Sequence, residues 1–67
     1  MNMIIRFKIV GGKEGEDLYT TEDEARAALA ETLAEHVRRG HRVSNVGNES
    51  IIDDTNGDLV ATYELMP

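Results

Sequence analysis

Seven positions of the 67-residue chain, Ala25, Ala28, Leu29, Thr32, Leu33, His36 and Val37, recur at intervals of three and four. That spacing gathers them on one face of an α-helix, whereas side chains in a strand change face at every residue. Thr21 followed by Glu24 fits a capping box, in which a hydroxyl and a carboxylate satisfy backbone N–H groups at a helix start. Thr20 with Asp23 offers a neighbouring register. At the other end Gly40 follows Arg38 and Arg39, which puts cations at the negative end of the helix dipole and a stop just beyond it. These signals predict a helix over residues 21–39. Ala27, Ala30 and Ala34 widen its uncharged arc, and that small-residue flank would let another backbone approach closely as well as simply favour the helix.

The remaining segments read as strands and turns. Met3, Ile5, Phe7 and Ile9 alternate with Ile4, Arg6, Lys8 and Val10, the period-two pattern of a strand with one buried face. "GGKEG", residues 11–15, is read as a hairpin loop that returns Asp17, Leu18 and Tyr19 beside the first strand, with a mobile connection as the alternative. Val43 and Val46 are ambiguous, and Gly47 with Asn48 marks a turn. "SIIDD", "TNG" and "DLVATYEL" read as a hairpin, because Asn-Gly suits a tight turn of positive φ. Its last strand puts Leu59, Ala61, Tyr63 and Leu65 on one face. The expected fold is α+β: a single domain over residues 1–67, with one helix on a mostly antiparallel sheet of three to four strands in the order β(β)αββ.

A domain of this length buries only about 60% of the surface of its unfolded chain, so the core must be thin. No cysteine is present to staple it, and a second copy or a partner would share the burden, with a homodimer as one possibility. "MNMIIRFKIV" carries Arg6 and Lys8 inside its short apolar run and does not read as a signal peptide or membrane segment, so a cytoplasmic protein is expected.

Charge narrows the partners. Seven basic against thirteen acidic residues leave a net charge of −6, and the sign changes along the chain. Residues 1–13 carry Arg6, Lys8 and Lys13, whereas residues 14–35 carry eight acids against Arg26. Such a balance repels a phosphate backbone and attracts a basic protein surface. The expectation is therefore a protein partner with a basic surface, no direct nucleic acid and no membrane. Glu14, Glu16, Asp17, Glu22, Asp23, Glu24, Glu31 and Glu35 are the candidate contact residues.

Catalytic and cofactor signatures are weak by comparison. "GGKEG" lacks the Ser or Thr of a Walker loop and the spacing of a dinucleotide fingerprint, and six acids crowd its neighbourhood. "DDTNGD", residues 53–58, fails the spacing of a calcium loop in either register and suits a turn. His36 falls in the middle of the apolar helix face, where a histidine is either a satisfied core residue or a pH-sensitive group. His41 is expected to face solvent, and two histidines five apart without a third ligand do not make a zinc site. Ser44 and Ser50 lie outside any nucleophile elbow. Arg38, Arg39 and Arg42 are accounted for largely by helix capping and by pairing with Glu35. No enzyme and no cofactor is expected.

The run "TTEDEARAALAETLAEHVRRGHRV" is similar to the helical segment of HicB-type antitoxins, in which a Thr, paired acids and alanines lead to a glycine-ended helix. That resemblance covers about a third of the chain and lacks the proline-rich and glycine-cysteine signature, so it carries no site residues over. In general form, as a short, acidic, cysteine-free domain, the chain also resembles phage anti-defence inhibitors such as anti-CRISPR proteins. The acidity and this form point to a non-enzymatic protein that binds and inhibits a basic or nucleic-acid-handling partner. A small homo-oligomeric structural or accessory domain, or an antitoxin-like protein, is the alternative.

Overall fold

The computed structural model describes residues 2–67. The elements follow in the order β1 (Met3–Ile9), β2 (Glu14–Tyr19), α1 (Glu22–Arg38), β3 (Arg42–Val46), β4 (Glu49–Asp53) and β5 (Leu59–Met66). The strands form one sheet in the order β2-β1-β5-β4-β3, with every neighbouring pair antiparallel. The α+β class is as expected, but the sheet has five strands rather than three or four and the order is ββαβββ. The added strand is β3, at one edge. Of its residues only Val43 packs against the core, while Val46 is 65% exposed, so β3 is held by backbone pairing more than by an apolar face.

Helix α1 forms where its spacing demands. Thr21 is the N-cap, its Oγ1 accepting the backbone N–H of Glu24 at 3.1 Å. The Glu24 carboxylate accepts from the hydroxyl of Thr20 rather than from the Thr21 N–H, so only the hydroxyl half of the expected capping box forms. The helix lies on one face of the sheet and brings a small side chain to the closest approach: Ala25 is wholly buried. Met3 and Ile5 of β1, Ile52 of β4, and Ala61, Tyr63 and Leu65 of β5 complete the core. Leu29 and Leu33 are only half-buried, and Ile52 is the one large side chain of the described residues that is wholly enclosed. Val37, expected on the inner face, is 58% exposed. In that last turn His36 takes the buried place instead. On the alanine flank Ala27 and Ala30 are exposed and Ala34 is half-buried.

The turns correct two expectations. The β1–β2 connection is closed by the Gly12 N–H to the Ile9 carbonyl and the Ile9 N–H to the Lys13 carbonyl. The loop is therefore residues 10–13, and Glu14 and Gly15 already belong to β2, which is a true strand. In the β4–β5 connection only Gly57 of the Asn56–Gly57 pair has positive φ, so the turn is longer than a two-residue one. Asp54 fastens it, its Oδ1 accepting the N–H groups of Asn56 and Asp58. Asp54 is there a turn builder.

A bulge follows at once. Ile52 pairs with Ala61 but Asp53 pairs with Leu59, leaving Val60 as an extra residue on β5. Val60 packs against the core and its carbonyl accepts the N–H of Val10. Leu59, which simple alternation places beside Ala61 in the core, is 48% exposed. α1 is the only helix among the described residues, so the opposite face of the sheet is left uncovered.

Candidate interaction surface

The eight candidate acids fall into two groups. Edge strand β2 carries Glu14, Glu16 and Asp17, and the first turn of α1, entered two residues after β2 ends, carries Glu22, Asp23 and Glu24. All six are exposed and make an acidic rim that flanks the β2 edge from both sides: by register Glu14 and Glu16 share the uncovered face with Lys8 and Arg6, whereas Asp17 lies opposite Ile5, on the face that carries α1. Glu31 and Glu35 lie apart, in the second half of the helix, where Arg38 neutralises them. It lies 3.6 Å from Glu31 and donates to Glu35, and Arg39 lies 3.8 Å from Glu35. The hydrogen bond and charge of Arg38 hold the Glu35 carboxyl below the usual carboxylate range, and Glu35 raises Arg38 in return. Fixing two long side chains in a pair leaves them less available to a partner.

Within the rim the acids differ again. Glu16 accepts from Arg6 through both Nε and Nη2, at 3.0 and 2.9 Å, and Glu22 pairs with Arg26 at 2.6 Å. Glu24 is occupied at the helix start. Glu14, Asp17 and Asp23 make no ion pair or side-chain hydrogen bond among the described residues. Beside them stands Leu18, 66% exposed, in register with Ile4, which pairs on its other side with Met66. An apolar step thus borders the charge.

On the uncovered face a hollow of about 410 Å³ is lined by Arg6, Lys8, Glu16, Glu49, Thr62 and Glu64 among others. Register explains it. Arg6 stands between Glu16 and Glu64, and Glu64 stands opposite Glu49, a like-charge pair that opposes pairing of the two strands. Glu49 and Glu64 were not among the candidate contacts. Alternation with Tyr63 places Glu64 on this face, but Glu49 depends on a β4–β5 register that a bulge interrupts.

The most specific side-chain cluster lies on the other face. His36, 7% exposed, sits with Nε2 at 2.9 Å from the hydroxyl of Tyr63 and Nδ1 at 3.0 Å from Nδ1 of His41. Burial first, then the charges of His41 and Arg39, pushes the His36 imidazolium below the usual histidine range, and burial raises the Tyr63 phenol. His36 is a buried residue of the helix face, as expected. His41 is not simply solvent-facing: it is half-buried and hydrogen-bonded. Ser50, also buried, donates to Asn45 Oδ1 at 2.9 Å.

No group of three or more His, Cys, Asp or Glu side chains among the described residues is arranged to hold a metal ion. No helix among them is long and apolar enough to cross a membrane. Comparison of the chain with family models, curated proteins and solved structures returns no match.

Proposed function

We propose that this protein is a non-enzymatic interaction module that binds a basic, nucleic-acid-handling protein partner and inhibits it. The acidic rim of β2 and the first turn of α1 is the contact surface. An inhibitor of the phage anti-defence kind is the concrete form of this reading. The observation that carries it is the rim itself: six exposed acids flanking the β2 edge, three of them unpaired, next to the exposed side chain of Leu18. A row of carboxylates presents to Arg and Lys the charge that a nucleic-acid strand would present, and the apolar step supplies area that desolvates on contact.

The test uses the intact chain immobilised and exposed to lysate of the cell in which it acts. The expected result is retention of a nucleic-acid-binding protein that high salt releases and that added nucleic acid displaces. Retention is expected to vanish in the combined variant Glu14→Lys, Asp17→Lys, Asp23→Lys, whose circular dichroism stays unchanged. Reversal of Glu31 and Glu35 serves as the control and is expected to leave it. Equal retention by the rim variant refutes the reading.

A homo-oligomer joined through a sheet edge is the second reading, and charge favours β3 over β2 for it. β3 carries Arg42 and no acid, whereas two copies of β2 would set Glu14, Glu16 and Asp17 against themselves. Sedimentation equilibrium of the isolated protein separates the two.

A further inference from the structure

We propose that the His36–His41 imidazole pair is a proton-operated clasp on the C-terminal cap of α1. It is closed while the pair carries at most one extra proton and opened by the second.

The backbone geometry puts the two rings where a cap is normally fastened. The Gly40 N–H donates to the Val37 carbonyl at 2.9 Å and the His41 N–H to the His36 carbonyl at 3.0 Å, with Gly40 at φ +82°. This is a Schellman motif, and in such motifs the residue two beyond the cap rests on the residue three before it, usually through an apolar contact. Here those residues are His41 and His36, and the contact is Nδ1 to Nδ1 at 3.0 Å. A hydrogen bond that changes with protonation replaces a contact that ordinarily does not.

Counting protons shows how it operates. With both rings neutral, one Nδ1 carries a hydrogen and the other accepts it, and the Tyr63 hydroxyl fits either direction by donating to His36 Nε2 or accepting from it. One added proton leaves the chain intact. With that proton on His41 Nε2, the His41 Nδ1–H still donates to His36 and the His36 Nε2–H donates to Tyr63. A second proton places a hydrogen on both Nδ1 atoms, which then point at each other and must part.

The surroundings do little to accommodate that second charge. On α1, Arg39 opposes it, and Glu35, which favours it, is already paired with Arg38 and Arg39; Glu31 stands at the rim of the adjoining groove. β5 brings the neutral Tyr63 and Val60, and β1 brings Ile9. Parting of the rings removes a side-chain link between the helix end and the residue that leads into β3, which begins at Arg42 and is an edge strand.

Amide hydrogen exchange between pH 8 and pH 5 tests this, with intrinsic exchange divided out. Protection at Gly40, His41 and the β3 amides is expected to fall about tenfold or more as the second proton binds, while β1 and β5 amides keep theirs. In His41→Leu, which supplies the ordinary apolar contact, the selective fall is expected to disappear. NMR titration of the wild-type ring nitrogens is expected to show one histidine charging first and the other only at lower pH, in the range where protection falls. The proposal is overturned if protection falls uniformly, if the selective fall persists in His41→Leu, or if both histidines titrate independently near the ordinary value.

Discussion

Removing the Tyr63 hydroxyl is the sharpest test of how the core accommodates its one buried histidine. In Tyr63→Phe the ring still fills its place against Ile52, Ala61 and Leu65, but His36 Nε2 loses the partner that lies at 2.9 Å. An orphaned buried polar atom costs about 1–3 kcal/mol, whereas deleting both partners of a bond costs much less. A domain of this size has about 3–10 kcal/mol in total at 0.05–0.15 kcal/mol per residue, so such a loss is large. His36→Leu orphans the hydroxyl instead, for a similar expected cost. The double variant His36→Leu, Tyr63→Phe removes both partners of this bond and is expected to be more stable than the sum of the single losses predicts, by about 1 kcal/mol or more. The loss of the His41 Nδ1 partner is common to it and to His36→Leu and so cancels in the cycle. Urea denaturation at pH 8, followed by circular dichroism, measures all four corners of the cycle. Both singles should lose about 4–8 °C in Tm per kcal/mol. Additivity within about 0.5 kcal/mol would show that the two side chains do not interact, and the buried network would have to be abandoned.

Three further outcomes follow from the packing and the caps. Ile52→Ala, at the wholly buried position, is expected to cost about 2–5 kcal/mol, against under about 1 kcal/mol for Leu18→Ala at the exposed edge; similar losses in urea denaturation would contradict the burial of β4. Gly40→Ala places a side chain at φ +82°, an expected cost of about 1–2 kcal/mol, and Thr21→Ala removes the N-cap for about 1 kcal/mol; thermal melts of both variants check these. Stability is expected to decline on acidification below about pH 6.5, the unfolded histidine value. Because burial lowers the His36 pKa, the unfolded chain binds the proton more readily. The His36 contribution is complete above that pH and is lost as pH falls towards the lowered value, and a flat profile in His36→Leu over the same range is the matching control.

The helix was legible because three independent signals agreed on it: the Thr21 cap, the three-and-four spacing and the Gly40 stop. β1 was legible from strict alternation. β3 was not, since "RVSNV" turns only Val43 to the core and an edge strand needs no second apolar row. The start of β2 was hidden for a related reason, because Glu14 and Glu16 face solvent on an edge and resemble a loop. Leu59 and Val60 exchanged roles through a bulge, which shifts the side-chain period without leaving a mark in composition. Of the candidate acids, the sequence placed all eight on exposed positions and paired Glu35 with the helix arginines, but the Arg6–Glu16 pair depends on the β1–β2 register and was not visible in it. The His36–His41 contact was within reach: once Gly40 is taken as the residue just past the cap, the motif itself brings positions 36 and 41 together.

The central pairing of the sheet has a kinetic consequence. β1 and β5 pair Ile4 with Met66 and Ile9 with Ala61, joining segments from opposite ends of the described chain, whereas every other pairing joins consecutive strands. Hairpins of the latter kind form in about 1–10 μs, but the β1–β5 seam must first close a loop that contains the helix and three strands. Assembly is therefore gated by one long-range encounter, on which the buried side chains of Ile5, Ala61, Tyr63 and Leu65 all depend. A short linker from the end of β5 back to the start of β1, with a new opening between β2 and α1, would turn that seam into a local hairpin and speed folding while leaving the folded sheet as it is.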